Sequence, residues 1–268
     1  MKRRRSSLVL ALAGLLMVWV LSPFAAEEDA AAQLHAIFEE EWEYFLRENP
    51  DSASRRGDRR WNDRWPDVSL EAIERRHQHR KEVLERLEAI DYEALSEADK
   101  LNYTLFRKDY ELEMEAHQYR WYLLPLSHMG GIQTRNELAD SLRFATVKDY
   151  EDWLARLRGL PTLLDQTIAL MREGIRGGMV HPKVIMERVP DQITAQIVDD
   201  PAESLFFKPF KRFPADIPLT EQERLVAEAK TAVGEHIIPS FRRFQEFFIN
   251  EYLPACYDRV GAWQLPRG

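Results

Sequence analysis

The residues of this protein that could do chemistry include seven histidines, and histidine is a frequent metal ligand and general base in proteins. No His-Glu-x-x-His motif occurs, although a zinc peptidase site of that kind needs two ligands one helical turn apart and a glutamate that activates water. His77 and His79 are two residues apart, so they would point in different directions on a helix. The pairs His35–Glu39 and Glu113–His117 have the four-residue spacing, but neither has a third ligand, and a solvated helix face explains both. The sequence therefore predicts no catalytic, cofactor-binding or metal-binding residue.

Nucleophilic catalysis has no better support. The sequence lacks a Gly-x-Ser-x-Gly motif, which places a serine on a sharp turn between a strand and a helix. Its single cysteine, Cys256, is surrounded by Tyr252, Leu253 and Tyr257 rather than by basic residues that would lower its pKa. We interpret Cys256 as a small buried core residue. One cysteine also excludes an intramolecular disulfide, so the fold must rest on its apolar core.

Three polar residues are predicted to line a cleft. The segment Leu126–Gln133 contains two glycines that permit close backbone approach, and His128 and Gln133 offer polar contacts within it. A plain turn between two helices is the alternative interpretation of this segment. The third residue is His181, which follows a glycine pair at a predicted helix end.

The charge balance argues against a nucleic-acid partner. The protein has a formal net charge of -8, and loss of the four basic residues near its N-terminus would leave it more acidic still. Nucleic-acid binding would require a clustered basic face. The one arginine-rich stretch, Arg55–Trp65, interleaves arginine with aspartate and tryptophan. Such a pattern is typical of a solvated loop whose arginines pair with aspartates and lie on tryptophan rings.

Residues 1–26 have the order of a secretory signal peptide: a basic stretch, an apolar run from Leu8 to Leu21, and small residues at Ala25 and Ala26. The apolar run of about 14 residues is shorter than the roughly 18 to 20 that a bilayer-spanning helix needs. We therefore predict a periplasmic or secreted protein. An uncleaved segment that anchors the protein in the inner membrane is the alternative.

The remaining residues, 27–268, are predicted to form one all-α domain, because apolar residues recur at three- and four-residue steps without a long alternating run. Polar residues in capping positions predict helix starts at Ser69, Ser96, Thr146 and Thr220. The architecture expected from this pattern is a multi-helix array.

Proline and glycine predict where the helices break. Pro161 is predicted in the first turn of a helix that Gly177-Gly178 closes. Two longer stretches, Pro125–Glu137 and Asp199–Pro218, are irregular and rich in glycine or aromatic residues. Stretches of this kind are typical of loops that cover a site or a surface.

Several weak motifs, in their order and spacing, resemble the bacterial family called domain of unknown function 885 (DUF885). The resemblance covers nearly all of residues 27–268. The motifs that carry it are the Pro50–Trp65 segment, Phe144–Trp153 with Leu160-Pro161, Gly174–Pro182, Phe206-Phe207-x-Pro209-Phe210, and the tail Glu251–Gly268.

The resemblance implies a large helical fold similar to zinc peptidases that close two halves over a deep cleft. Full-length family members are about twice as long as this sequence, and their metal-binding motif lies in the second half. The present sequence would then be an apparently truncated N-terminal half that contributes cleft lining and substrate fit, with zinc bound only when the C-terminal half is present. Its implied partners are a peptide substrate and that C-terminal half.

A second hypothesis is a stand-alone exported helical scaffold or binding module without enzymatic activity. The two hypotheses differ in the surface they predict. If Phe206–Phe213 and Leu253–Trp263 normally pack on a second half, these residues alone should expose a large apolar patch. A complete domain should bury both segments. The sequence leaves both hypotheses open.

Overall fold

A computed structural model describes residues 23–266, so residues 1–22 of the predicted signal peptide lie outside the described part. Within it no β-strand forms, and isolated bridges pair Ser127 with Gly130 and Pro182 with Tyr257. The prediction of an all-α fold is confirmed. From residue 23 to residue 266, no helix combines the length and apolar character that a membrane crossing requires. The α-helices of this part are α1 (Pro23–Glu48), α2 (Pro50–Arg55), α3 (Leu70–Glu88), α4 (Glu97–His117), α5 (Val147–Gly177), α6 (Lys183–Met186), α7 (Val189–Thr194), α8 (Leu219–Ala232), α9 (Ile238–Phe247) and α10 (Leu253–Ala255).

The three long N-terminal helices, α1, α3 and α4, pack around a small core of their own. Leu34 and Ile37 of α1 meet Val83 and Leu87 of α3 in this core, and all four side chains are buried. Polar side chains cap the starts of α3 and α4 at the predicted residues. Ser69 Oγ accepts the backbone N–H of Ala72 at 3.1 Å, and Ser96 Oγ accepts that of Asp99 at 3.2 Å.

The larger core is built around α5, against which α8 and α9 pack. Its buried centre includes Trp153 of α5 and the rings of Phe206, Phe207 and Phe210 from the segment that precedes α8. These three phenylalanines insert into the core of the protein itself and do not form an exposed apolar patch. Phe206 stacks with Trp153 at a centroid distance of 6.3 Å, and the Trp153 Nε1–H donates to the Phe206 carbonyl at 3.0 Å.

Helix α5 runs through Pro161, which the sequence predicted in a first turn. Proline in a helix interior costs about 3 kcal/mol. The buried leucines Leu157, Leu160 and Leu164 on this helix offset that cost by packing into the larger core. The predicted end of the helix is confirmed: Gly178 has φ 69°, and the Met179 N–H donates to the Gly174 carbonyl at 2.8 Å.

Two other prolines are accommodated by wider helical turns. A π-helical segment, Val233–Ile237, precedes Pro239, and a second one, Phe248–Tyr252, precedes Pro254. A proline ring clashes with the carbonyl four residues earlier in an α-helix, and a π-helical turn relieves that clash by shifting the hydrogen bonds to five-residue spacing. The helix start predicted at Thr220 is wrong, because α8 begins one residue earlier, directly after Pro218.

Candidate functional site

The loop that carries His128 is a tight turn between two 3₁₀ segments, Trp121–Leu123 and Ile132–Ser141. Ser127 and Gly130 exchange backbone hydrogen bonds of 2.8 and 3.3 Å, which exposes Met129 at the tip. Gly131 has φ 152°, and a Cβ at this position would lie 2.4 Å from the Cβ of Leu126. Only glycine fits at this position. The second of the two glycines in Leu126–Gln133 therefore allows the backbone to turn back close to Leu126.

Gln133 supports this loop from below. Its side chain is only 1% exposed, and its Nε2 donates to the Ser127 carbonyl at 2.8 Å and to Gln192 Oε1 at 3.1 Å. Gln192 Nε2 in turn donates to the His128 carbonyl at 2.9 Å. One helical turn further on, Gln196 Nε2 donates to the Gln133 carbonyl at 2.9 Å. These three glutamines fasten the loop to α7 and the residues after it, and we call them the glutamine ladder.

His181 lies beside the same loop. Its ring is close to the Leu126 backbone and to the imidazole of His128. The segment that follows α10 covers it, because the Tyr257 N–H donates to the His181 carbonyl at 3.2 Å and the Lys183 N–H donates to the Tyr257 carbonyl at 2.7 Å. The structure therefore brings all three predicted cleft-lining residues into one cluster. Their role in a cleft stays a prediction, and Gln133 lies beneath the loop rather than on its surface.

This cluster is rich in buried polar atoms that lack a hydrogen-bond partner among residues 23–266. They are His128 Nδ1, His181 Nε2, Gln133 Oε1 and Gln196 Oε1. The hydroxyl of Tyr252 lies at the edge of the cluster, against the His181 backbone. Buried polar atoms are normally paired, so several unpaired atoms in one place are characteristic of a site that binds a polar group. Burial lowers the pKa of His181, a hydrogen bond to the Leu126 backbone opposes this shift, and the charge on His128 adds to it. The His181 imidazole is therefore neutral near pH 7 and able to accept a hydrogen bond.

The cluster suits polar recognition better than covalent or metal chemistry. Burial raises the pKa of Cys256 to about 12, so this thiol is protonated and a poor nucleophile. Across residues 23–266, no three side chains of histidine, cysteine, aspartate or glutamate gather closely enough to hold a metal ion. A catalytic zinc usually takes three protein ligands, so the described residues do not fit the zinc that the family resemblance implies.

Sequence reasoning missed Gln192, Gln196 and Tyr252. A signal for the two glutamines was present, because a four-residue spacing beside a proline-initiated helix places both side chains on one face. No sequence signal could have placed Tyr252 against this cluster. Its position depends on the path of the backbone after α9 and on the π-helical segment that contains it.

Comparison with solved structures identifies a larger protein that contains a similar fold. A crystal structure of a candidate lipoprotein from Colwellia psychrerythraea superposes with a TM-score of 0.67 over 90% of the present protein, at 11% sequence identity. Only 44% of that lipoprotein is covered, and at this identity the likeness concerns the fold alone. No curated protein matches the sequence.

The family comparison agrees with the motifs that run from Pro50 to the last residue. The sequence profile of the family described as "Bacterial protein of unknown function (DUF885)" matches residues 50–268. This match includes the loop of His128, the glutamine ladder and the segment that covers His181. The protein is therefore a member of the DUF885 family.

Proposed function

We propose that these residues are the N-terminal, cleft-lining part of a larger exported DUF885 protein that acts as a zinc metallopeptidase. The observation that carries the proposal is the family match over residues 50–268, together with a fold that spans 44% of a larger solved protein. The zinc ligands and the acid–base residues would come from the part that follows residue 268. We assign no catalytic residue to the described residues.

Within this proposal, His128 and His181 contact the substrate or the opposite wall of the cleft. Both residues are partly exposed, and each has a ring nitrogen without a partner among the described residues. Backbone N–H groups of an extended peptide are suitable donors for such acceptors. The glutamine ladder would hold the loop of His128 in place while its exposed tip at Met129 faces the partner surface.

One observation favours the second candidate function, a stand-alone exported scaffold or binding module. Phe206, Phe207 and Phe210 are buried within the core of the protein itself, as a complete domain requires. The exposed apolar side chains of the tail, Val260 and Trp263, are consistent with the first candidate. A direct test is to sequence the genomic locus through codon 268. An open frame that continues into a His-Glu motif would support the peptidase, and a stop codon would support the module.

A biochemical test uses residues 27–268, purified and dialysed against a chelator-free buffer. We expect zinc well below one equivalent by elemental analysis, and no cleavage of a mixed peptide library. Stoichiometric zinc with chelator-sensitive cleavage would contradict the assignment of the ligands to a following part. Export is tested separately by cell fractionation of the full-length sequence. Recovery of the unprocessed form in the cytosol would count against the signal peptide.

A further inference from the structure

A cavity of about 690 Å³ opens on the side of the molecule between the 3₁₀ segment Ile132–Ser141, the start of α5, and the segment before α8. Its size falls within the range of about 300 to 1,000 Å³ that is usual for small-ligand sites. Its walls combine aromatic rings and prolines with two cationic side chains, Lys208 and Arg212. None of these residues belongs to the cluster around His128 and His181.

The apolar part of the cavity is a preformed aromatic wall. The ring of Tyr150 lies 5.1 Å from Phe144 and 4.6 Å from Phe213, measured between ring centroids. Tyr150 is fully buried, whereas the other two rings are partly exposed. Its hydroxyl donates to the Arg212 carbonyl at 3.1 Å, which fixes the backbone of Arg212 against the wall. An aromatic or aliphatic side chain could enter this cavity without rearrangement of its walls.

The two cations at the rim differ in their pairing. Lys208 Nζ is neutralised by the carboxylate of Asp140. The exposed guanidinium of Arg212 has no hydrogen-bond or ion-pair partner among residues 23–266. The segment Leu205–Phe213 contains three cations and no acidic residue, in a protein of net charge -8. The cavity therefore presents one uncompensated positive charge next to an apolar wall.

We propose that this cavity binds an apolar carboxylate, specifically the C-terminal residue of a peptide. The side chain of that residue would lie against the partly exposed rings of Phe144 and Phe213, and its carboxylate would accept two parallel hydrogen bonds from Arg212. A guanidinium matches the geometry of a carboxylate, and it binds a carboxylate more tightly than it binds a neutral acceptor. A single free cation fits one negative charge, whereas phosphate sites usually gather several cations or backbone N–H groups. The inference does not depend on the proposed peptidase function.

The test is isothermal titration calorimetry of residues 27–268 with N-acetyl-alanyl-phenylalanine and with the same dipeptide as its C-terminal amide. We expect the carboxylate form to bind at least about tenfold more tightly than the amide, since the amide removes the charge-assisted hydrogen bonds. The R212Q variant should lose this preference. The F213A variant should weaken binding of both forms by about tenfold.

The matched control is K211Q, which removes an exposed cation next in sequence that does not line the cavity. It should leave the affinity for the carboxylate form within about twofold of the original value. Unfolding midpoints in urea confirm that each variant is folded. Equal binding of amide and carboxylate, or an R212Q variant with unchanged preference, would overturn the proposal. Tighter binding of octanoate than of any peptide would also overturn it, in favour of a fatty-acid site.

Discussion

Arg156 and Trp65 interact through a cation–π contact and a hydrogen bond. The guanidinium carbon of Arg156 lies 5.1 Å from the centroid of the Trp65 ring, and the Trp65 Nε1–H donates to the Arg156 carbonyl at 2.7 Å. Arg156 is fully buried, and none of the carboxylates between residues 23 and 266 forms an ion pair with it, although Asp51, Asp63 and Asp152 act on its charge from farther away. Its guanidinium instead donates to Ser54 Oγ at 2.8 Å and to the Arg64 carbonyl at 3.1 Å. This pair fastens the Pro50–Trp65 segment, one of the family motifs, to the centre of α5.

We expect R156K to destabilise the fold by about 3 kcal/mol, because a lysine cannot reach the oxygen atoms that the planar guanidinium contacts and would leave them buried without donors. Burial already lowers the pKa of Arg156 to about 10, which reflects the cost of holding this charge inside the protein. The measurement is urea unfolding at pH 7.5. The control is R158K, whose exposed arginine on the same helix pairs with Glu228. It should change stability by less than about 0.5 kcal/mol. Equal losses of stability in both variants would show that the buried contacts of Arg156 have no special role.

Two glycines inside α5 should respond in opposite ways to alanine. A Cβ on Gly174 would lie 2.5 Å from the Met179 carbonyl oxygen, a backbone atom of the turn that leads to His181. We expect G174A to cost about 2 kcal/mol or more. A Cβ added at Gly159 would have a side-chain atom of Trp65 as its nearest neighbour, at an ordinary contact distance of 3.7 Å. We therefore expect G159A to stabilise the helix by up to about 1 kcal/mol. Thermal unfolding of both variants tests this, and a stabilised G174A would contradict the close packing at that position.

Much of the helical architecture could be predicted from local patterns. Ser69 and Ser96 cap their helices as the sequence indicates, because a serine at this position satisfies an otherwise free backbone N–H whatever the tertiary fold. Pro161 was misplaced for the opposite reason. Its position inside α5 depends on the packing of distant residues around that helix, which offsets the local cost of the proline and which no local pattern records.

The candidate site was predictable only in part. His128 and His181 were chosen for their glycine-containing surroundings, and the structure places them close together. Tyr252, more than seventy residues beyond His181 in the sequence, could not be chosen in this way. It reaches the cluster because the backbone after α10 returns to pair Tyr257 with Pro182. Long-range pairing of this kind is set by tertiary packing, and a single sequence carries no signal for it.

Stability should fall as the pH drops through the titration range of histidine. The ring of His117 is stacked on that of His77 with centroids 3.8 Å apart. Burial and this neighbour lower the pKa of His117 below its ordinary value of 6.5, and Arg80 and Arg120 lower it further, while Glu74 opposes them. The unfolded protein therefore binds a proton at a pH at which the folded protein does not, so the free energy of unfolding decreases as the pH falls below about 7.

The measurement compares the midpoints of urea unfolding at pH 7.5 and pH 5.5. Both values lie above the pH range in which protonation of carboxylates dominates the pH dependence of stability. We expect H117F to lose less stability than the unmodified protein over this interval, because phenylalanine keeps an aromatic ring against His77 but does not titrate. His181 has a lowered pKa for a related reason, so H181F combined with H117F should flatten the pH dependence further. An H117F variant with the same pH dependence as the unmodified protein would show that His117 makes no contribution.

The glutamine ladder should control the mobility of the His128 loop without controlling the stability of the core. Gln192 binds this loop twice, through Gln133 Nε2 at 3.1 Å and through the His128 carbonyl at 2.9 Å. Q192A removes both contacts but leaves the buried aromatic core untouched. We therefore expect the loop to open locally, with faster amide hydrogen exchange at residues 126–131 and faster proteolysis at the exposed Met129.

Global stability should fall by only about 1 kcal/mol in this variant, the usual net contribution of one or two hydrogen bonds. The control is Q222A, because Gln222 Nε2 binds the Ile217 carbonyl at 2.8 Å in a different loop. It should leave exchange at residues 126–131 unchanged. If both variants accelerate exchange in that loop equally, the effect is global and the ladder has no local role. A selective effect of Q192A would instead establish that α7 holds the loop of His128 in the position in which it meets His181.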